Sequence, residues 1–530
     1  MKILKQEKGS ITLFVLISML FFVMYLVGMY MLSASLESSQ IAETARIKEI
    51  YEQGVDNIDD VYNSLIGENQ KVNAPVYKGT GLTPVTISED GTITAASTTT
   101  ANWYSYDGTV NHWANAKTKD GSMWVWIPRY AYKITYNNES NKSTGGTIDV
   151  VFLKGTTNND FNGNDVTSEN YIDANGKTGA YIVHPAFQDG TKNGYANGEW
   201  DEEIEGFWMA KFEAGYAGNV GDPSSATDSG VTYKTIKSWT GSNTVDYAYN
   251  YYYQNGERAV GSAIKFPTFQ ANRASVNFIG IADAYDLCMK IKDGTSVYGL
   301  NNVDSHLTKN SEWGAVAYLA HSKYGRDGEE VVLNNVTIDN DTESLRAVTG
   351  YAAAATESTP ATSASPVTTT LEAVQNGTLA GSWTTPQGQT ASTTGNVYGI
   401  YDLSGGEWEW TAAYIQTNGD YEDYSWTLKG DSSKYKTKYA YSGTGETDTS
   451  NYAVTENQNR IGDAIHETST AGTGTTSWNE DFSIFSYTTF PFFLRGGLWD
   501  GWYTTGTFAF YRDHGYGGNL IGFRAVLVAE

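Results

Sequence analysis

The first feature of the chain is a long apolar run. Lys2, Lys5 and Lys8 precede it, and no charged residue then appears until Glu37. The run exceeds the ~20 residues that span a bilayer and is too long for the apolar core of an ordinary signal peptide. It predicts a transmembrane helix, with the lysines cytoplasmic and the rest of the chain outside a cell membrane as a single-pass protein. Beyond Glu37, Ile41, Ala45, Ile50, Val55, Ile58, Val61 and Leu65 recur at helical spacing with charges between them. The helix is expected to continue as a stalk, the transmembrane and stalk segment together covering 10–66.

The pattern changes near residue 67. Gly, Thr, Ser, Asn and Asp now separate short aromatic or β-branched runs, such as TPVTI, MWVWIPRYAYKI, VVFL and GFWMAKFEAG. These read as strands joined by turns. Residues 67–119 form a β-rich linker or small subdomain, and 120–530 form the main domain. DAYDLCMKI (283–291) and SEWGAVAYLAHSKYG (311–325) read as helices, the second with Ser311 as N-cap and Gly325 as stop. Ala-, Ser- and Thr-rich residues 350–395 read as a low-complexity insertion, and polar 415–480 as long loops. Trp408 and Trp410 alternate with Glu407 and Glu409, so one face of a strand buries both indoles. Gly405-Gly406 before them supplies a turn with positive φ. Arg495 and Arg524 are expected to pair with acids such as Asp402.

Composition narrows the function. The 530 residues carry a formal charge of −25, with a pI near 4.6. Phosphate backbones repel such a chain, so nucleic acid is not an expected partner. The single cysteine, Cys288, excludes an intramolecular disulfide and a multi-thiolate metal site. Its neighbours Leu287 and Met289 suggest a buried, inert thiol. His112, His184, His306, His321, His466 and His514 show no paired ligand spacing. No GxSxG elbow, P-loop or HExxH occurs. Glu407 and Glu409 could serve as acid and base, but they belong to a strand pattern that packing explains. The expectation is a protein that is not an enzyme and needs no cofactor. Loop carboxylates could hold a structural Ca²⁺, which the sequence assigns to no residue.

Two resemblances refine this reading. Lys8-Gly9-Ser10-Ile11-Thr12-Leu13 resembles the cleavage site of type IV prepilins and pseudopilins, implying a leader 1–9 cut between Gly9 and Ser10, with other pilins and a prepilin peptidase as partners. Phe14 stands where that family usually has Glu. The same residues also read as an uncleaved signal anchor, and the stalk pattern beyond Glu37 as a juxtamembrane coiled coil. Further on, SHLTKNSEWGAVAYLAHSKYG (305–325), GNVYGIYDLSGGEWEWT (395–411), FLRGGLW (493–499) and IGFRAVL (521–527) resemble, in order, landmarks of the formylglycine-generating enzyme/sulfatase-modifying factor family. MWVWIP (123–128) and GFWMAKFEAG (206–215) resemble its first strands. The implied class is α+β: a long N-terminal transmembrane and stalk helix followed by a C-type-lectin-like domain with loop insertions. The family's catalytic members use a cysteine pair between the last two landmarks, and this chain has no cysteine there. The calcium-dependent sugar motifs EPN, QPD and WND are also missing, Trp478-Asn479-Glu480-Asp481 being a near match to the last.

The segment 494–527 looks instead like the variable hairpin of proteins diversified by retroelements, where adenines of Asn-like codons are rewritten. Leu498, Asp500, Gly501, Tyr503, Tyr511, Asp513, His514, Tyr516, Gly518, Asn519 and Leu520 are reachable from such codons. Trp502 is not, but joins them as a contact residue. Tyr and Trp offer large rigid contact area at low entropic cost, and Asp, His and Gly add adaptable polarity. The expectation is a bacterial surface protein for adhesion or recognition, these residues meeting an extracellular protein or glycan. A structural minor pilin and a formylglycine-generating enzyme are the alternatives, the latter disfavoured by the missing cysteines.

Overall fold

A computed structural model describes residues 19–22, 72–100, 103–106, 108, 110–190, 200–215, 253–254, 257–258, 267–277, 279–293, 297–338, 346–352, 367–369, 373, 380–416, 426–443, 446–501, 505–515, 517 and 520–530. The chain divides into two compact units, Met1–Asn69 and Gln70–Glu530. Of the first, residues 19–22 form one helical turn with all four apolar side chains exposed. The Gly9–Ser10 cleavage site and the rest of 10–66 lie outside the described residues.

The second unit is built mainly from strands. Its first half contains β1 (Thr83–Ile87), β2 (Ile93–Ala95), β3 (Asn115–Lys117), β4 (Met123–Pro128), β5 (Tyr130–Tyr136), β6 (Gly146–Phe152), β7 (Ile182–Val183), β8 (Gly206–Ala210), β9 (Tyr253–Gln254) and β10 (Glu257–Arg258). Helix α1 (Ile281–Lys290), β11 (Val303–Leu307) and helix α2 (Asn310–His321) follow. Then come β12 (Val336–Ile338), β13 (Arg346–Ala347), β14 (Val367–Thr369), β15 (Trp408–Ile415), β16 (Thr437–Tyr439), β17 (Phe492–Arg495), β18 (Phe510–Asp513), β19 (Ile521–Phe523) and β20 (Ala525–Ala529).

The largest sheet has seven strands in the order β11-β20-β8-β4-β3-β1-β2. Strands β1 to β3, from the segment 67–119, are thus hydrogen-bonded into the same sheet as β4 and β8. Strand β4 reads MWVWIP because both of its faces are covered, and every residue in it is buried. A five-stranded sheet runs β16-β15-β17-β18, with β19 also paired to β15. Strand β15 has β17 antiparallel along one edge, while β19 and β16 share the other, parallel to it, at its start and end. Gly405 and Gly406 lead into β15 at φ +76° and +75°. A Cβ on Gly405 would fall 2.4 Å from the Asn334 carbonyl oxygen, so glycine is required there by space as well as by φ.

Two expectations are corrected. The class is not α+β led by a long helix: the described residues are mostly sheet with a few short helices. Turn-forming residues break the chain so often that aromatic and β-branched runs are too short for anything but strands. No helix among the described residues is long and apolar enough to cross a membrane. The single-pass membrane placement is overturned with it. A smaller correction concerns α2. It spans Asn310–His321, and the Glu312 carboxylate, accepting from the Lys309 backbone N–H at 2.9 Å, caps its start instead of Ser311.

Candidate functional site

The segment 494–527 does not form one hairpin. Strands β17 and β18 pair antiparallel, Leu494 opposite Tyr511 and Arg495 opposite Phe510. The chain then crosses to the far edge of β15, where Ile521 of β19 lies opposite Trp408. β20 continues into the seven-stranded sheet. The connection between β17 and β18 lies along the entry to β15. The Trp499 N–H donates to the Gly406 carbonyl at 2.9 Å, and the Trp408 N–H to that of Leu520 at 2.9 Å. Thr505 closes the base of the loop, its hydroxyl donating to the Leu498 carbonyl at 3.0 Å.

This brings Leu498, Tyr511 and Leu520 around Trp408. Leu498 and Trp499 pack on Ala347, with Trp408 and Leu520 against them. The half-buried Tyr511 ring lies 5.5 Å from that of Trp408 at 30°, and 5.8 Å from Phe482. The Trp499 indole N–H has no hydrogen-bond acceptor among the described residues. Asp500 is exposed beside the patch and Gly501 half-buried, its N–H donating to the Leu498 carbonyl at 2.8 Å. His514 is elsewhere: its ring lies 3.9 Å from Phe490, the ring that Arg512 also covers, at 5.1 Å. Burial lowers the pKa of His514. The half-buried Asp513 accepts the Gly515 N–H at 2.9 Å. Trp502, Tyr503, Tyr516, Gly518 and Asn519 lie outside the described residues.

Three contributors escaped the sequence reading. Trp408 was assigned with Trp410 to a buried face. Trp410 is buried, with its N–H on the Ile279 carbonyl at 2.8 Å, but Trp408 stays half-exposed. Phe482 and Phe490 belong to a stretch whose aromatic residues alone could have marked them.

At the start of β15 the other face is acidic and buried. Glu407 and Glu409 are fully buried, as are Glu213 and Asp402. Glu407 accepts the Ala347 N–H at 3.0 Å. Arg524 forks onto Glu409, with Nε 2.7 Å from Oε2 and Nη2 on Oε1. Its pairing with Asp402 differs from expectation, since it reaches only the Asp402 backbone carbonyl, at 3.0 Å. The Asp402 carboxylate instead accepts from Asn334 at 2.8 Å and from the Gly350 N–H at 2.9 Å. Arg495 spends its guanidinium on the carbonyls of Asp463 and Ala464. Burial, and the charges of Asp402, Glu409 and Glu407, push Glu213 far above the usual carboxylate range. These carboxylates set the strand; none is open to a substrate. Cys288 is buried, and its thiol pKa is raised by burial. No group of three or more His, Cys, Asp or Glu among the described residues could hold a metal ion.

No family model matches the chain, and no curated protein matches it. Among solved structures, two variants of a major tropism determinant, M1 and U1, are similar at 12% identity over 86% of this chain and 74% of that one, with a TM-score of 0.23. A superposition this loose adds nothing to the strands described above.

Proposed function

We propose that the chain is a ligand-binding protein of the adhesion type, and that the Trp408–Tyr511 pair anchors its contact face. The observation that carries this is a pair of large aromatic rings, 5.5 Å apart and only partly buried, set on a hydrogen-bonded sheet. Their neighbours Leu498, Leu520 and Asp500 rim the pair with apolar and acidic groups. Rigid aromatic anchors ringed by adaptable residues are what contact surfaces use. The partner is an extracellular protein or glycan, and no catalytic step is assigned to the face. Leu498, Asp500, Gly501, Tyr511 and Leu520 are proposed as its contact residues, and Trp502, Tyr503, Tyr516, Gly518 and Asn519 as further contacts on the sequence alone; Asp513 and His514 engage Gly515 and Phe490 beside it. All of the contact residues except Trp502, and Asp513 and His514 with them, are proposed as positions diversified by a retroelement.

The test is direct. Immobilised protein is screened against glycans and cell-surface proteins, and any ligand found is titrated against Trp408→Ala and Tyr511→Ala. Each variant is expected to lose about tenfold to a hundredfold in affinity with the fold intact. A ligand that binds both variants as well as the parent sinks the assignment of the face. For diversification, the gene's 3′ end is compared with the DNA that follows. A near copy differing mainly at adenines, beside a reverse transcriptase, is the expected result.

A further inference from the structure

The turn Trp478-Asn479-Glu480-Asp481, set aside above as a near match to a sugar-binding motif, buries its two ends, Trp478 and Asp481, and leaves Glu480 exposed. Asn479 and Glu480 are consecutive non-glycine residues at φ 60° and 64°. Left-handed backbone at such residues is strained and persists only where the surroundings impose it. Two contacts do so. Trp478 is fully buried, its ring 5.3 Å from Phe508 and 4.9 Å from His321. Asp481, also fully buried, accepts the Phe508 N–H on Oδ2 at 2.9 Å. The backbone of Gly506 is pressed against the same carboxylate: a Cβ there would stand 2.3 Å and 2.4 Å from its two oxygens. The Trp313 indole N–H donates to the Thr507 carbonyl at 2.8 Å from the other side. The backbone N–H groups that act on the Asp481 carboxylate, those of Phe508 and Ala509, both belong to the loop.

We propose that Asp481 is the positioning residue of the loop between β17 and β18, a buried clasp on residues 506–508 that fixes how Leu498, Asp500 and Tyr511 are displayed. This rests on the reading of that face as the binding surface. A buried acceptor on a backbone N–H has no competing water. The strained turn is what brings it there. Arg495 and Glu330 are the charged groups facing Asp481 from neighbouring elements.

The test needs no ligand. Amide hydrogen exchange is followed at Phe508 and, as a remote control, along β5 and β6. In Asp481→Ala the Phe508 amide is expected to exchange at least about tenfold faster, the equivalent of one buried hydrogen bond, with β5 and β6 unchanged. Asp481→Asn keeps an oxygen acceptor and is expected to restore most of the protection. Gly506→Ala pushes the loop off the carboxylate from the opposite side and should loosen the same amide. It keeps the question answerable if Asp481→Ala does not fold. Unchanged exchange at Phe508, or equal acceleration at Phe508, β5 and β6, overturns the clasp. Neither result bears on whether Trp408 and Tyr511 bind a ligand, so the two proposals fail separately.

Discussion

Replacing Arg524 by Met is expected to cost about 3–5 kcal/mol of folding stability, the usual penalty for stripping one partner from a buried ion pair. The reason lies in the company it keeps. Glu409 is its forked partner, and the charges of Asp402 and Glu213 also bear on it. The guanidinium further donates to the carbonyls of Ala210 and Asp402 and lies 5.8 Å over Trp313. Methionine fills part of the volume and answers none of this, leaving Glu409 ionised without a partner or forcing a proton onto it. Lysine should recover only a fraction, because a point charge cannot reproduce the fork. Glu409→Gln should cost less than Arg524→Met, since it removes a negative charge from a site already holding an excess. Urea unfolding measures all three. A loss below about 1 kcal/mol for Arg524→Met would mean the cation is not what holds β15 to the final strands.

Stability should also fall as pH rises from about 5 to about 8. Glu467 is buried, accepting from the hydroxyls of Tyr132 at 2.9 Å and Tyr318 at 3.0 Å and from the Gly462 N–H at 2.6 Å. Burial outweighs these donors and pushes its pKa up to about 7. Asp481 is likewise pushed up to about 7 by burial, against the pull of the Phe508 N–H and Arg495. Below the unfolded carboxylate pKa both states hold the proton. Between that value and about 7 the unfolded chain has released it and the native state has not. The native state then binds more protons, so stability drops with rising pH and levels off above the native pKa. Buried histidines act in the opposite sense. Burial lowers His184 to about 3 and depresses His321 and His466, so these stay neutral while the unfolded chain protonates below its own histidine pKa. Glu467→Gln tests one carboxylate. Its stability relative to the parent should rise by about 2–3 kcal/mol between pH 5 and pH 8. Chemical denaturation at the two pH values decides it, and equal differences at both would remove Glu467 as a source of the slope.

What the sequence made legible follows from how far apart the causes lie. Gly405-Gly406 and α2 were readable because a turn and a helix depend on neighbours within a few residues. The burial of Trp410 was readable from its size and alternation. Glu407 and Glu409 were not, because alternation assumes that one face of a strand meets water. β15 is covered on both faces, and the partner of Glu409 is 115 residues away. The same distance hid the role of Trp408. Nothing beside it announces that Tyr511 will arrive from another strand while Leu520 follows from a third. The candidate face was visible only as a composition, and the pairing that gives it a centre comes from three-dimensional register.

The position of β20 has a consequence for how the chain reaches this state. It lies between β11 and β8, and the contacts of Arg524, just before it, span 216 residues to Thr308 and 314 to Ala210. During synthesis, β8 and β11 emerge long before the strand that joins them. Each must wait with an open edge, exposing backbone groups to pairing with the wrong partner. Closure over such sequence distances is slow, so the seam of β11, β20 and β8 is expected to close last in the largest sheet. The interval before that closure is when the chain is most exposed to aggregation, and a chaperone that shields those two edges would matter more to its yield than any surface contact.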